Sequence, residues 1–111
     1  MTALEPGVVT DAATVPLDHQ PVAAEQVVTG APSTGWIELH DGFGVWEMTP
    51  GAMTDTEAEE VFVVLAGSAT VEFTEPALPP IELRPGSVVR LTEGMRTVWT
   101  VHETLRKAYL A

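Results

Sequence analysis

The sequence predicts an all-β protein, an antiparallel sandwich or barrel, and three observations carry the prediction. From Gly35 onward the apolar segments are short, and Gly, Pro, Asp and Ser turn signals separate them about every 8 to 12 positions. Glu60-Val61-Phe62-Val63-Val64-Leu65-Ala66-Gly67 is dominated by β-branched, aromatic and leucine residues and stops at a Gly-Ser pair suited to a turn. Thr70, Glu72 and Thr74 then alternate with Val71 and Phe73, giving one wet and one dry strand face.

In chain order, residues 1–35 come first, with Pro6, Pro16, Pro21 and Pro32 interleaved with Gly7, Gly30 and Gly35. That density breaks any long helix, because proline removes a donor and glycine adds backbone freedom, so an extended arm is expected. Its apolar pairs Val8-Val9 and Val27-Val28 suit a sheet edge, where they would cover otherwise unpaired backbone groups. Residues 36–111 then form the folded barrel. Strands are predicted at 36–40, 43–49, 60–66, 69–74, 81–84, 88–91, 97–102 and 104–110. The connections are Asp41-Gly42, Pro50-Gly51, Gly67-Ser68, the Pro76 to Pro80 loop, Pro85-Gly86, Glu93-Gly94 and a tight link near Glu103. The acidic run from Thr54 to Glu60 is the one place for a single helical turn.

Composition narrows the function classes. At 111 residues the chain supports one domain. It has no cysteine, which excludes disulfides and thiolate chemistry and agrees with a reducing cytoplasm. No apolar run approaches the roughly 20 residues of a membrane-spanning helix, and the N-terminus has no basic start and apolar stretch of a secretory signal. Sixteen acidic residues against five basic ones give a formal charge of −11, which repels phosphate backbones and anionic membranes, so neither nucleic acid nor membrane is an expected partner. All five basic residues, Arg84, Arg90, Arg96, Arg106 and Lys107, follow position 83. Some of them are expected to meet earlier carboxylates, which requires the C-terminal strands to lie back across the first half.

Several fragments resemble a known family. Glu60 followed after six residues by Gly67 is similar to the second half of the first cupin motif, and Gly86 followed after five residues by Thr92-Glu93-Gly94 to the frame of the second. Gly44-Val45-Trp46-Glu47-Met48-Thr49-Pro50-Gly51, Gly94-Met95-Arg96-Thr97-Val98-Trp99 and Arg106-Lys107-Ala108-Tyr109 extend the likeness to the small cupins of the (S)-ureidoglycine aminohydrolase and ethanolamine-utilisation type. The resemblance runs from about Trp36 to the C-terminus. It implies a double-stranded β-helix, a jelly-roll barrel that takes ligands in its mouth.

The same resemblance shows what is missing. Many cupins hold a transition metal with two histidines and a glutamate from the first motif and a histidine from the second. Here the His-x-His slot falls on Thr54-Asp55-Thr56 or Met53-Thr54-Asp55, and Thr97 stands in the place of the last histidine. Glu60 alone does not make a transition-metal site, so no metal is expected; the alternative is a divalent, hard cation on atypical ligands, with Asp55 beside Glu60. His19, His40 and His102 have no second ligand at a suitable spacing and read as ordinary surface or edge residues.

Candidate site residues follow from strand faces. Glu60 shares a face with Phe62 and Val64, and the motif's phase turns that face into the barrel. Lys107 shares a face with Leu105 and Tyr109 and is placed to pair with Glu60, to bind an anionic group or to act as a base. Glu60 and Lys107 are the catalytic candidates. Thr97, Trp99 and Val101 form a third inward set, with Trp99 as a flat apolar wall carrying one indole donor. Trp46 and Glu47 point to opposite faces, and the resemblance nominates Glu47 as a second carboxylate. The ligand-binding candidates are Glu47, Thr54, Thr56, Thr97, Trp99 and Tyr109. Two carboxylates in one apolar pocket push at least one of them toward a general acid. No Ser-His-Asp or Cys-His set and no phosphate-binding glycine loop is present. The expectation is a metal-free cupin binding a small polar molecule, as a cytoplasmic homodimer. The alternative is a small cupin enzyme of aminohydrolase, lyase or isomerase type, working through acid/base carboxylates or an atypical metal site.

Overall fold

The computed structural model describes residues 3–111; Met1 and Thr2, the first two residues of the predicted arm, lie outside the described residues. The chain folds into antiparallel β-structure, as its close-set turns and short apolar segments require. The strands are β1 (His19–Pro21), β2 (Val27–Thr29), β3 (Ser33–His40), β4 (Phe43–Met48), β5 (Gly51–Thr56), β6 (Glu60–Glu75), β7 (Ala77–Leu83), β8 (Val88–Leu91) and β9 (Arg96–Leu110). Among the described residues no helix is long and apolar enough to cross a membrane.

β9 is the spine. Along one edge its C-terminal half pairs with β4 and its N-terminal half with β5, while β6 runs antiparallel along the other edge. β6 is shared in the same way, pairing at its start with β8 and further on with β7. The nine strands form one continuous sheet, which the two long strands fold into two component sheets, β1-β3-β4-β9-β6-β8 and β2-β5-β9-β6-β7. A core of Met48, Met53, Phe62, Val64, Val71, Leu91, Trp99, Val101 and Leu105 fills the space between the inward faces.

Two pairs of predicted strands are single strands. The segments 60–66 and 69–74 join as β6 because Gly67 forms a bulge in place of a reversal, its φ of +86° lying where L side chains are strained. A Cβ at this position would collide with the Thr104 carbonyl of β9. The bulge shifts the phase of the strand: Phe62 and Val64 are buried before it, Ala69 and Val71 after it. Glu60, two residues before Phe62, thus looks inward. The segments 97–102 and 104–110 likewise join as β9, with Glu103 held opposite Ser68, whose hydroxyl donates to its carboxylate at 3.1 Å.

The helical turn predicted at 54–60 does not form. β5 occupies residues 51–56, because Thr54 and Thr56 are β-branched and six register pairs with β9 satisfy a backbone that one isolated turn leaves mostly unpaired. In the arm, β1 pairs with β3 and β2 with β5, covering the outer edges of both sheets. Val27-Val28 lies on an edge as predicted, whereas Val8-Val9 lies outside the strands and is exposed. The late cations do meet earlier carboxylates: Arg90 pairs with Glu59, Arg106 with Glu47 and Lys107 with Glu60.

Candidate ligand-binding site

Register and alternation bring the site together. Trp36 of β3 lies opposite Trp46 of β4, Trp46 opposite Lys107 of β9, and Lys107 opposite Val64 of β6, so this cross-strand row faces one side of the sheet. One row along, Tyr109 lies opposite Gly44, where a side chain would collide with its phenol. The other sheet contributes Asp55 from β5, opposite Thr97, and Trp99, opposite Met53. Glu57 comes from the short link to β6 and Glu60 from the first residue of that strand.

These residues wall a cavity of about 360 Å³, with Trp36, Trp46, Trp99 and Tyr109 as its aromatic surfaces and Asp55, Glu57, Glu60 and Lys107 as its charges. Lys107 is only 4% exposed. Its Nζ donates to Glu60 Oε2 at 2.6 Å and lies 4.4 Å from the ring centre of Phe62, 4.7 Å from Trp46 and 4.9 Å from Trp99. The ammonium is therefore caged by one carboxylate and three π-faces, which together replace its lost hydration. Glu57, 9% exposed, accepts at Oε2 from the Thr97 hydroxyl at 2.6 Å and the Trp99 indole at 2.9 Å. Asp55 accepts the Thr56 amide at 2.9 Å. Burial and the neighbouring Glu57 push its carboxyl up to about 6, with Glu60 adding to the rise and Lys107 opposing it. Burial also raises the Tyr109 phenol, with Glu38 and Glu60 nearby.

Of the sequence candidates, Glu60, Lys107, Trp99 and Tyr109 line this cavity, and Thr97 stands behind it, buried against Glu57. Thr54 and Thr56 do not. They are exposed on the opposite face of β5, where they line a polar groove with Gln26, Thr74 and Arg96 that Asp55 and Thr97 also border. Glu47 also points away from the cavity, because Trp46 takes the inward face of β4. Glu47 Oε2 accepts from Arg106 Nε at 2.8 Å, and its Oε1 lies 2.7 Å from His19 Nε2. Burial works against its ionisation, but the bonds from Arg106 and His19 outweigh it and hold the carboxyl below the usual range. Glu57 and Trp36 line the cavity without having been singled out in the sequence, and Asp55, named there only beside Glu60 for a hard cation, lines it too. The signal for Asp55 was alternation: Thr54 and Thr56 bracket it on a strand, so with both threonines exposed the aspartate takes the other, less exposed face.

The residues at the family's metal slots do not fit a transition metal. Thr97 and Thr54 offer only hydroxyls, Glu60 is engaged by Lys107, and no group of three His, Cys, Asp or Glu among the described residues is placed to hold an ion.

Residues 40–109 match the profile of the EutQ-like cupin domain. No curated protein shows significant sequence similarity. A protein of unknown function from Pseudomonas syringae pv. tomato superposes with a TM-score of 0.71 at 17% identity, over 86% of this chain and 43% of that one; this chain thus spans less than half of its length. A second protein of unknown function, from Acidithiobacillus ferrooxidans, gives 0.62 at 22% identity over 87% and 91% of the two chains. The EutQ protein of Clostridium difficile gives 0.53 at 13% identity over 84% and 64%. These likenesses show a shared fold.

Proposed function

This chain belongs to the EutQ-like cupin family, and from that premise we propose that it binds a small polar molecule in the barrel mouth without a histidine-ligated metal. One observation carries the reading: a cavity of about 360 Å³ keeps an ion pair, Glu60 with Lys107, at its wall beside two further carboxylates. A buried charge is costly unless it is paired, and a cavity lined by such groups offers preoriented polar contacts against flat apolar walls. Trp36 and Trp46 would take the apolar part of the ligand, and the carboxylates its donors. The test is a thermal-shift and calorimetric screen with small amines, acids and sugars on the wild type and on Glu60→Gln. A class of compounds that raises Tm for the wild type and loses affinity in Glu60→Gln is the expected result. A screen in which no class binds, together with a crystal structure whose mouth is packed shut, overturns it.

A second reading has its own observation. Asp55, with its carboxyl pushed up to about 6, sits beside Glu57 and can both hold and release a proton near neutrality, as an acid/base enzyme requires. Once a bound compound is known, turnover that follows Asp55 in its pH profile and vanishes in Asp55→Asn supports catalysis; binding without turnover leaves the protein a binding module.

A further inference from the structure

Resting on the cavity being a ligand site, we infer that its ligand is a small organic ammonium compound, the cationic end meeting Glu57 and Asp55 and the body passing between Trp36 and Trp46 toward residues 21–26 of the arm. The charges of the cavity point to the cation. Three carboxylates, Asp55, Glu57 and Glu60, face it against the single cation Lys107, and Lys107 is bound to Glu60. Both hydrogen bonds to Glu57 go to Oε2. No fully buried polar side-chain atom among the described residues lacks a partner, so Glu57 Oε1, which carries no hydrogen bond, retains some exposed surface, and Glu57 is one of the residues lining the cavity. Asp55 has the Thr56 amide on Oδ1 and no cation bonded to it. A partly desolvated carboxylate with an open oxygen gains most from a donor that also carries positive charge.

The walls select the kind of cation. The Lys107 ammonium already occupies the faces of Trp46 and Trp99, which shows that these walls suit an alkylammonium, and the open aromatic surface is Trp36, which lines the cavity and is 64% exposed. A bare metal ion is not what these donors fit, since no three of them converge. An anion would face the excess of negative charge, and a neutral ligand would leave it uncompensated.

The length of the ligand follows from a second cavity of about 330 Å³ that shares Asp55, Trp36 and Trp46 with the first and is bounded on its other side by Pro21, Val22 and Gln26. Trp36, at 64% exposure, is a large aromatic left wet at this junction. A molecule with its ammonium at the carboxylates and its body between the two indoles covers that surface and reaches the arm.

The test is calorimetric titration of the full chain, at mildly alkaline pH, with linear primary ammonium compounds of increasing length, their N-acetylated neutral counterparts and carboxylates of matching length. The expected result is binding by the ammonium series alone, weakened about tenfold or more by Asp55→Asn and unchanged by Glu72→Gln, an equal change of charge on an exposed strand face. Val22→Trp, which fills the second cavity, should weaken the longer members more than the shortest. Binding by carboxylates or neutral compounds in preference to ammonium overturns the charge inference and leaves the cavity a ligand site. Binding by no compound overturns both. Equal stabilisation by magnesium or manganese chloride alone, lost in Asp55→Asn, replaces the organic cation with a metal. Variants are compared only where their melting transition remains cooperative.

Discussion

Two ion pairs built on adjacent residues of β9, Arg106 with Glu47 of β4 and Lys107 with Glu60 of β6, do different work. Trp46 and Lys107 are register partners and face the cavity; Glu47 and Arg106, the next pair along, face outward under the arm. On the outside every charge is committed. Glu47 receives Arg106 and His19, while Arg106 also donates through Nη1 to the Ala12 and Val15 carbonyls at 3.1 and 2.9 Å. His19 Nδ1 lies 2.8 Å from the Ser33 hydroxyl, which ties β1 to β3. On the inside the pair Glu60–Lys107 stands beside Glu57 and Asp55, which have no cation of their own. The outer cluster closes on itself and fastens the arm; the inner one is left open toward a cavity. The difference separates a structural ion pair from one poised for a partner, although both are short and shielded.

The largest effect is expected from breaking the outer cluster. Arg106→Ala leaves Glu47 with His19 alone and removes both hydrogen bonds to the arm, which should cost about 3 kcal/mol, the low end of the precedent for removing one partner of a buried pair because Glu47 is only part-buried. Denaturant unfolding measures the loss, and limited proteolysis should show cleavage within residues 3–18 before the barrel unfolds. If the arm stays protected, Arg106 is not its fastening.

The inner pair should respond in the opposite sense when both charges are replaced together. Lys107→Met with Glu60→Leu substitutes apolar groups of similar size for a caged ion pair, and stability should be unchanged or should rise by about 1–4 kcal/mol. Lys107→Met alone, which leaves Glu60 unpaired, should be less stable than the double variant. A double variant that is strongly destabilised would make the inner pair structural like the outer one and erase the contrast.

How far the sequence foretold this contrast depends on the element. The β-architecture was legible in turn spacing and alternation. The inward aim of Glu60 and Lys107 followed from alternation, combined for Glu60 with the phase of a family motif. What alternation could not supply was continuity. Gly67-Ser68 reads as a reversal, because a glycine with positive φ serves both turns and bulges, and only the β9 backbone packed against Gly67 decides between them. The acidic stretch from Asp55 to Glu60 was opaque for a related reason. Crowded carboxylates suggest a solvated turn, and the Thr54-Asp55-Thr56 alternation becomes readable only once six backbone pairings with β9 establish that the strand runs to Thr56. Glu47 was nominated by family likeness, while the residue that takes its charge, Arg106, lies 59 positions away and becomes visible only once β4 and β9 are side by side.

The smallest effect, and the most direct probe of the open inner cluster, is the pH dependence contributed by Asp55. Its carboxyl ordinarily titrates near 3.8 and is pushed up to about 6 in the folded chain. The folded state therefore holds the proton more tightly than the unfolded state, and stability from this group is present below about pH 4 and lost as pH rises through about 6. The full shift would be worth about 3 kcal/mol, but Asp55 is only half-buried, so solvent screening reduces the expected loss to about 1–2 kcal/mol. Glu47 has the opposite sign: its lowered carboxyl contributes stability above the ordinary value, lost as pH falls, so the two regions titrate against each other in the wild type. Asp55→Asn removes one side of that opposition. The difference in unfolding free energy between variant and wild type should grow in the variant's favour from about pH 4 to about pH 7, and a difference that stays flat would mean that Asp55 ionises as freely as an aspartate in water, with no unmet charge at the cavity wall.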